Sequence, residues 1–107
     1  MTLAQRIDSG RPLLMDGAMG TELDRRNAQI DTSAWSARAM KANSATVQAI
    51  HHDYACAGAE LHITNSFAMA RHVLEPAGLG EHVHEYNRQA VALCKAAINS
   101  EHWIAGS

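Results

Sequence analysis

Thr46-Val47-Gln48-Ala49-Ile50-His51-His52-Asp53-Tyr54-Ala55-Cys56-Ala57-Gly58-Ala59-Glu60-Leu61-His62-Ile63-Thr64-Asn65-Ser66 reads as a helix that stops at a glycine and passes directly into a strand. Val47, Ile50, Tyr54 and Ala57 recur at helical spacing, which lays them along one face of a helix over residues 46–57. Ser44 or Thr46 supplies the N-cap, and Gly58 stands where a C′ glycine closes a helix. Residues 60–64 then have strand character and end on the polar triplet Thr64-Asn65-Ser66.

The same alternation extends in both directions. Toward the C-terminus, Glu75-Pro76-Ala77-Gly78 breaks the chain. A second helix runs from Glu81 to about Ser100, with Val83, Tyr86, Ala90, Cys94 and Ala97 on one stripe. Trp103-Ile104-Ala105 then starts another apolar run, ending at Gly106-Ser107. Toward the N-terminus, Leu13-Leu14-Met15 sits between Pro12 and Asp16-Gly17 and reads as a short buried strand. Residues 21–26 look like one or two helical turns, and residues 27–35 are an irregular connection containing Trp35.

Short strands joined by helical crossovers are the mark of a parallel sheet. Residues 13–16, 60–64 and 103–105 are expected to lie side by side, parallel and in chain order. Three such strands leave both sheet edges unpaired, so the chain reads as the opening part of something larger, prone to self-association through those edges.

Composition excludes several function classes. A net charge of −2 gives no basic surface to track a phosphate backbone, so no nucleic-acid partner is expected. No apolar run approaches a membrane span, and the N-terminus lacks the apolar core of a secretion signal. Cys56 and Cys94 are too few for a disulfide scaffold and read as reduced residues packed in helices, which points to the cytoplasm. Met15, Met19, Met40 and Met69 read as core filling, and His62, alternating with apolar neighbours, as a hydrogen-bonded structural histidine. No H-x-x-x-H, C-x-x-C, G-x-S-x-G, P-loop or G-x-G-x-x-G pattern occurs.

Ligands of parallel α/β folds bind beyond the carboxyl ends of the strands. Here those ends are Asp16-Gly17-Ala18, Thr64-Asn65-Ser66 and Gly106-Ser107. Asp16 offers a carboxylate to a ligand amine, Gly17 permits close backbone approach, and Thr64, Asn65 and Ser66 add hydroxyl and amide partners. Turn chemistry uses the same residue types: Asp16 as an Asx-turn, and residues 64–66 as caps. Both assignments stand at this point.

Four stretches together carry a family resemblance. Residues 13–23, from Leu13-Leu14-Met15-Asp16-Gly17-Ala18 to Leu23, resemble the opening motif of the homocysteine S-methyltransferase family. Residues 51–60 are similar to its helix entering the second strand, residues 63–67 to the end of that strand, and Ala105-Gly106-Ser107 to the end of its third. The resemblance implies the N-terminal portion, about three βα units, of a zinc-dependent (β/α)8 TIM barrel, with residues 1–107 in one partial domain and the rest of the barrel absent. A complete barrel takes about 250 residues.

The implied reaction transfers a methyl group to the zinc-activated thiolate of homocysteine, forming methionine. The implied partners are therefore homocysteine and a small methyl donor: betaine, S-methylmethionine, or a methylated folate acting through cobalamin. In that family three cysteines further along the chain bind the zinc. Neither Cys56 nor Cys94 matches them, so the zinc ligands are expected outside this chain and the 107 residues alone are expected to be inactive. The resemblance assigns Asp16 to the substrate amino group, backbone N–H groups at Gly17 and Ala18 to its carboxylate, and Thr64 and Asn65 to the neighbouring wall. Ala18 stands where the family often has a second glycine. The alternatives are a non-catalytic fragment that only folds or associates, and another TIM-barrel enzyme using Asp16 as an acid–base group.

Overall fold

The computed structural model describes residues 1–28 and 42–107. Trp35, Met40 and most of the expected 27–35 connection lie outside the described residues.

The chain opens with helix α1 (Leu3–Asp8), held by a capping box: the Thr2 hydroxyl accepts from the Gln5 N–H, and the Gln5 amide oxygen accepts from the Thr2 N–H. Arg6, buried despite its charge, docks this helix on the sheet. Its guanidinium donates to both carboxylate oxygens of Glu60 and to the carbonyls of Arg11 and Pro12. Helices α2 (Gly20–Arg25) and α3 (Ser44–Cys56) follow, then strand β1 (Leu61–Ile63). Single 3-10 turns at Phe67–Met69, Glu75–Ala77 and Gly80–His82 surround the short helix α4 (Arg71–Leu74). Helix α5 (Val83–Ala97) leads to strand β2 (Trp103–Ala105).

β1 and β2 run parallel, with Leu61 opposite Trp103, His62 opposite Ile104 and Ile63 opposite Ala105. Met15 pairs with Leu61, also parallel. The expected neighbours, direction and chain order are therefore present, but residues 13–16 form one bridge rather than a strand. The ladder runs from Leu14, whose carbonyl accepts from the N–H groups of Glu60 and Leu61, to the Asp16 N–H, which donates to Leu61. The Asp16 side chain then takes the next donor on β1, the Ile63 N–H, at 3.1 Å. Substitution of a side chain for backbone ends the pairing there. β1 is likewise shorter than residues 60–64, although Trp103 N–H to Glu60 and Thr64 N–H to Ala105 extend the ladder at its ends.

The core joins Leu23, Val47, Ile50, Met69, Leu74, Tyr86 and Ala90, with α3 packed on α5. On α5 the expected residues Tyr86, Ala90, Cys94 and Ala97 are buried and Val83 is half-buried. The helix is shorter than expected because Gly80–His82 forms a 3-10 turn before it and Ile98 turns extended after it.

On α3 the buried face is Val47, Ile50 and His51 with Tyr54 half-buried; Ala57 is exposed, because the helix ends at Cys56 and Ala57 is its C-cap. The cap itself is as expected. Gly58 takes φ +112°, its N–H donates to Ala55, and the Ala59 N–H reaches the Tyr54 carbonyl, the paired bonds of a Schellman motif. Neither Ser44 nor Thr46 is the N-cap. Asn43 occupies that position, and its side chain makes no capping bond. Met69 is buried and Met19 packs against the core, but Met15 is exposed, and so is Cys56 at the last turn of α3. Among the described residues no helix is long and apolar enough to cross a membrane.

Candidate functional site

Asp16 stands where the chain leaves the sheet. Its Oδ2 is held by the Ile63 N–H at 3.1 Å, and no other residue among those described donates to the carboxylate. Partial burial raises its pKa above the ordinary carboxylate value, opposed by the backbone hydrogen bonds from Ile63 and from its own N–H.

Gly17 and Ala18 come next, both exposed. Their N–H groups donate to no acceptor among the described residues. The segment is strapped down by α3: the Tyr54 hydroxyl donates to the Ala18 carbonyl at 2.8 Å. The same ring lies on Gly17, where a Cβ would meet Tyr54 Oη at 2.9 Å and two ring carbons at 3.1 and 3.2 Å. Close approach does explain the glycine, but the approaching group is a tyrosine from the chain itself. Burial, followed by the nearby Glu22 and Asp16 carboxylates, raises the Tyr54 pKa and favours the neutral phenol that donates this bond.

At the end of β1, Thr64, Asn65 and Ser66 are all buried. Thr64 Oγ1 and Ser66 Oγ are 2.6 Å apart, and Ser66 Oγ also accepts from the Ser107 N–H at 3.3 Å. This clamp ties the chain beyond β1 to the chain beyond β2. It commits the Thr64 hydroxyl to a structural partner, and the expected capping is not made by these side chains: Ser66 is the N-cap of the Phe67–Met69 turn but its hydroxyl makes no capping bond.

Gly17, Ala18, Thr64 and Asn65 line one hollow of about 230 Å³, together with Ile63 and the exposed Phe67. The five residues singled out in the sequence are thereby brought together: four on the wall, and Asp16 joining the two sides through Ile63. Tyr54 and Phe67 were missed, and Ser66, expected as a hydroxyl partner for a ligand, instead bonds Thr64 and Ser107. Tyr54 fits its helical stripe without calling for a further role, and the Ser66–Ser107 contact spans 41 residues.

No group of three or more His, Cys, Asp or Glu side chains able to hold a metal ion occurs among the described residues. Burial, with the Asp16 charge adding to it, pushes the Cys94 thiol up to about 11, so it stays protonated inside the helix layer. Cys56 is exposed, with its Sγ 3.4 Å from His52 Nε2. The described residues do not fit a zinc centre.

The family model for homocysteine S-methyltransferase matches residues 13–107. The chain is 33% identical over 75 residues to homocysteine S-methyltransferase YbgG of Bacillus subtilis, covering 70% of this chain and 24% of that protein. It is 41% identical over 61 residues to homocysteine S-methyltransferase of Escherichia coli, covering 57% of this chain and 20% of that protein. The chain thus corresponds to less than a quarter of the length of these relatives. The structure of the homocysteine methyltransferase MmuM from Escherichia coli in its metallated form superposes with a TM-score of 0.81 at 27% identity, covering 95% of this chain and 39% of that one. The chain belongs to the homocysteine S-methyltransferase family.

Proposed function

We propose that this chain is the amino-acid-holding part of a cytoplasmic methyltransferase, the N-terminal portion of a (β/α)8 TIM barrel that methylates the thiol of homocysteine to give methionine. The supporting observation is the convergence of Gly17, Ala18, Thr64 and Asn65 on one hollow, with Asp16 adjoining it in sequence at Gly17 and bonded to Ile63 of its wall.

The chain's own residues bind and orient. Asp16, anchored through Oδ2, presents its other oxygen to the substrate ammonium, a charge-assisted contact that strengthens as the carboxylate ionises. The N–H groups of Gly17 and Ala18 receive the substrate carboxylate, and Tyr54 keeps their segment in place. Thr64 and Asn65 form the facing wall. With both charged ends fixed, the thiol is directed away from this wall toward the later strands of the barrel. Zinc would supply thiolate activation when bound. Its ligands are assigned outside residues 1–107, and the described residues carry no step through it.

The test is a chimera in which residues 13–107 replace the matching segment of the Escherichia coli relative. Homocysteine-dependent methyl transfer by the chimera is the expected result. A folded, metal-loaded chimera that does not bind homocysteine overturns the assignment. The short coverage of the relatives favours a second outcome for the chain by itself, which is to fold or associate without activity.

A further inference from the structure

Three imidazoles stand on α3, β1 and the approach to β2, His62 in contact with His102 and within electrostatic reach of His51, and the proposed binding role uses none of them. His51 on α3 and His62 at the centre of β1 are both fully buried. His62 Nε2 lies 3.0 Å from Nδ1 of His102, just before β2, with the two rings stacked at 5.2 Å. Among the described residues neither ring nitrogen of His51 has a hydrogen-bond partner, and Nδ1 of His62 makes no regular hydrogen bond, with the Ala59 carbonyl nearby.

We propose that His51, His62 and His102 form a proton-operated latch that holds α3 and the approach to β2 against β1, and that mild acid opens it and releases β2. Two nitrogens 3.0 Å apart have room for one hydrogen between them. The neutral pair satisfies this, as does a pair carrying one extra proton on an outer nitrogen, but protonation of both rings sets two N–H groups against each other. A proton on His51 creates a buried cation without an acceptor.

His51 has no counter-charge among the described residues, whereas the Ala59 carbonyl favours a charged His62 and the Glu60 carboxylate a charged His102. On α5 the buried titratable group is the Cys94 thiol, which stays protonated and carries no charge. After the Met15 bridge the charged group is Asp16, whose carboxylate is bound to the Ile63 N–H and is not among the charges acting on His51 or His62. At the base of β1, Glu60 is engaged by Arg6, and Glu101 beside His102 is exposed. Consistent with this geometry, burial and then His62 push His51 down to about 4, and burial followed by His102 lowers His62, against the opposing Ala59 carbonyl.

The sign follows directly. Between pH 6.5 and about 4 the unfolded chain binds a proton at His51 that the folded chain refuses, so stability is complete above pH 6.5 and is lost as pH falls. The test is hydrogen exchange of the whole 107-residue chain, corrected for intrinsic rates, at pH 7 and pH 5. The expected result is a roughly twentyfold loss of protection over residues 61–66 and 102–105 at pH 5, which the double variant His51→Leu/His62→Leu reduces to about twofold or less. Unchanged protection in the parent, or the same loss in the variant, overturns the latch. Should the variant not fold, ¹⁵N shifts of the parent's imidazoles decide: His51 and His62 are expected to stay neutral until the β1 amides open. Protonation of His51, or of His62 and His102 together, with those amides still protected defeats the proposal.

Discussion

At Asp16 one carboxylate replaces a strand's backbone by accepting from the Ile63 N–H, next to Gly17 and Ala18 on the wall of the hollow. Asp16→Asn preserves the shape and turn chemistry but removes the charge. A charge-assisted hydrogen bond contributes about 1.5–3 kcal/mol, so homocysteine affinity of the chimera should fall roughly ten- to a hundredfold by calorimetry, with metal content unchanged. In the parent, affinity should weaken as pH falls through a midpoint above the ordinary carboxylate value, because burial raises the Asp16 pKa and only the ionised form holds an ammonium. One residue on, Gly17→Ala is a steric problem: its Cβ would contact the Tyr54 ring at 2.9–3.2 Å. Displacing the strap should cost about 1–3 kcal/mol in urea unfolding. Tyr54→Phe removes the nearest atom, so the alanine should cost less in that background, and additive costs would show that the strap does not hold the segment.

The contrasting glycine lies at the end of an element. Gly58 has open space, with only Leu14 Cδ1 at 3.6 Å from where a Cβ would stand, but its φ is +112°. Gly58→Ala should therefore cost about 1–3 kcal/mol through backbone strain alone. Because the fault is conformational, no partner substitution at Leu14 should recover it; recovery in Leu14→Ala would show that packing was the cause. α3 ends where its sequence says because a C′ glycine is a local signal. Its beginning is less legible: Asn43 caps without using its side chain, so the attractive hydroxyls of Ser44 and Thr46 mislead. The buried face was legible in part. Val47 and Ile50 follow apolar periodicity, whereas His51 completes the stripe with a polar ring that burial renders neutral.

At the scale of the molecule, apolar surface remains uncovered. Leu14, Met15 and Phe67 are more than half exposed, and the outer edge of β2 pairs with no strand among the described residues. Exposed apolar groups beside an open sheet edge favour association. Light scattering of the isolated chain should give a mass above 11.6 kDa that rises with concentration. Met15→Ser/Phe67→Ser should lower it. A single 11.6 kDa species at every concentration, with cooperative unfolding, would show that the chain is self-sufficient.

The amino-acid sequence by itself determined the parallel α/β order, the α5 stripe, the glycine stop of α3 and the polar strand ends, since each is written in neighbouring residues through helical or strand periodicity. Only the tertiary structure decided that residues 13–16 make a single bridge, that Tyr54 rather than a ligand lies on Gly17, that Ser66 clamps Ser107, and that His51 goes inside while Cys56 stays out. The bridge and the clamp depend on partners more than forty residues apart, and Tyr54 reaches Ala18 across 36. Such contacts are selected by the packing of whole elements, and a local pattern carries no record of them.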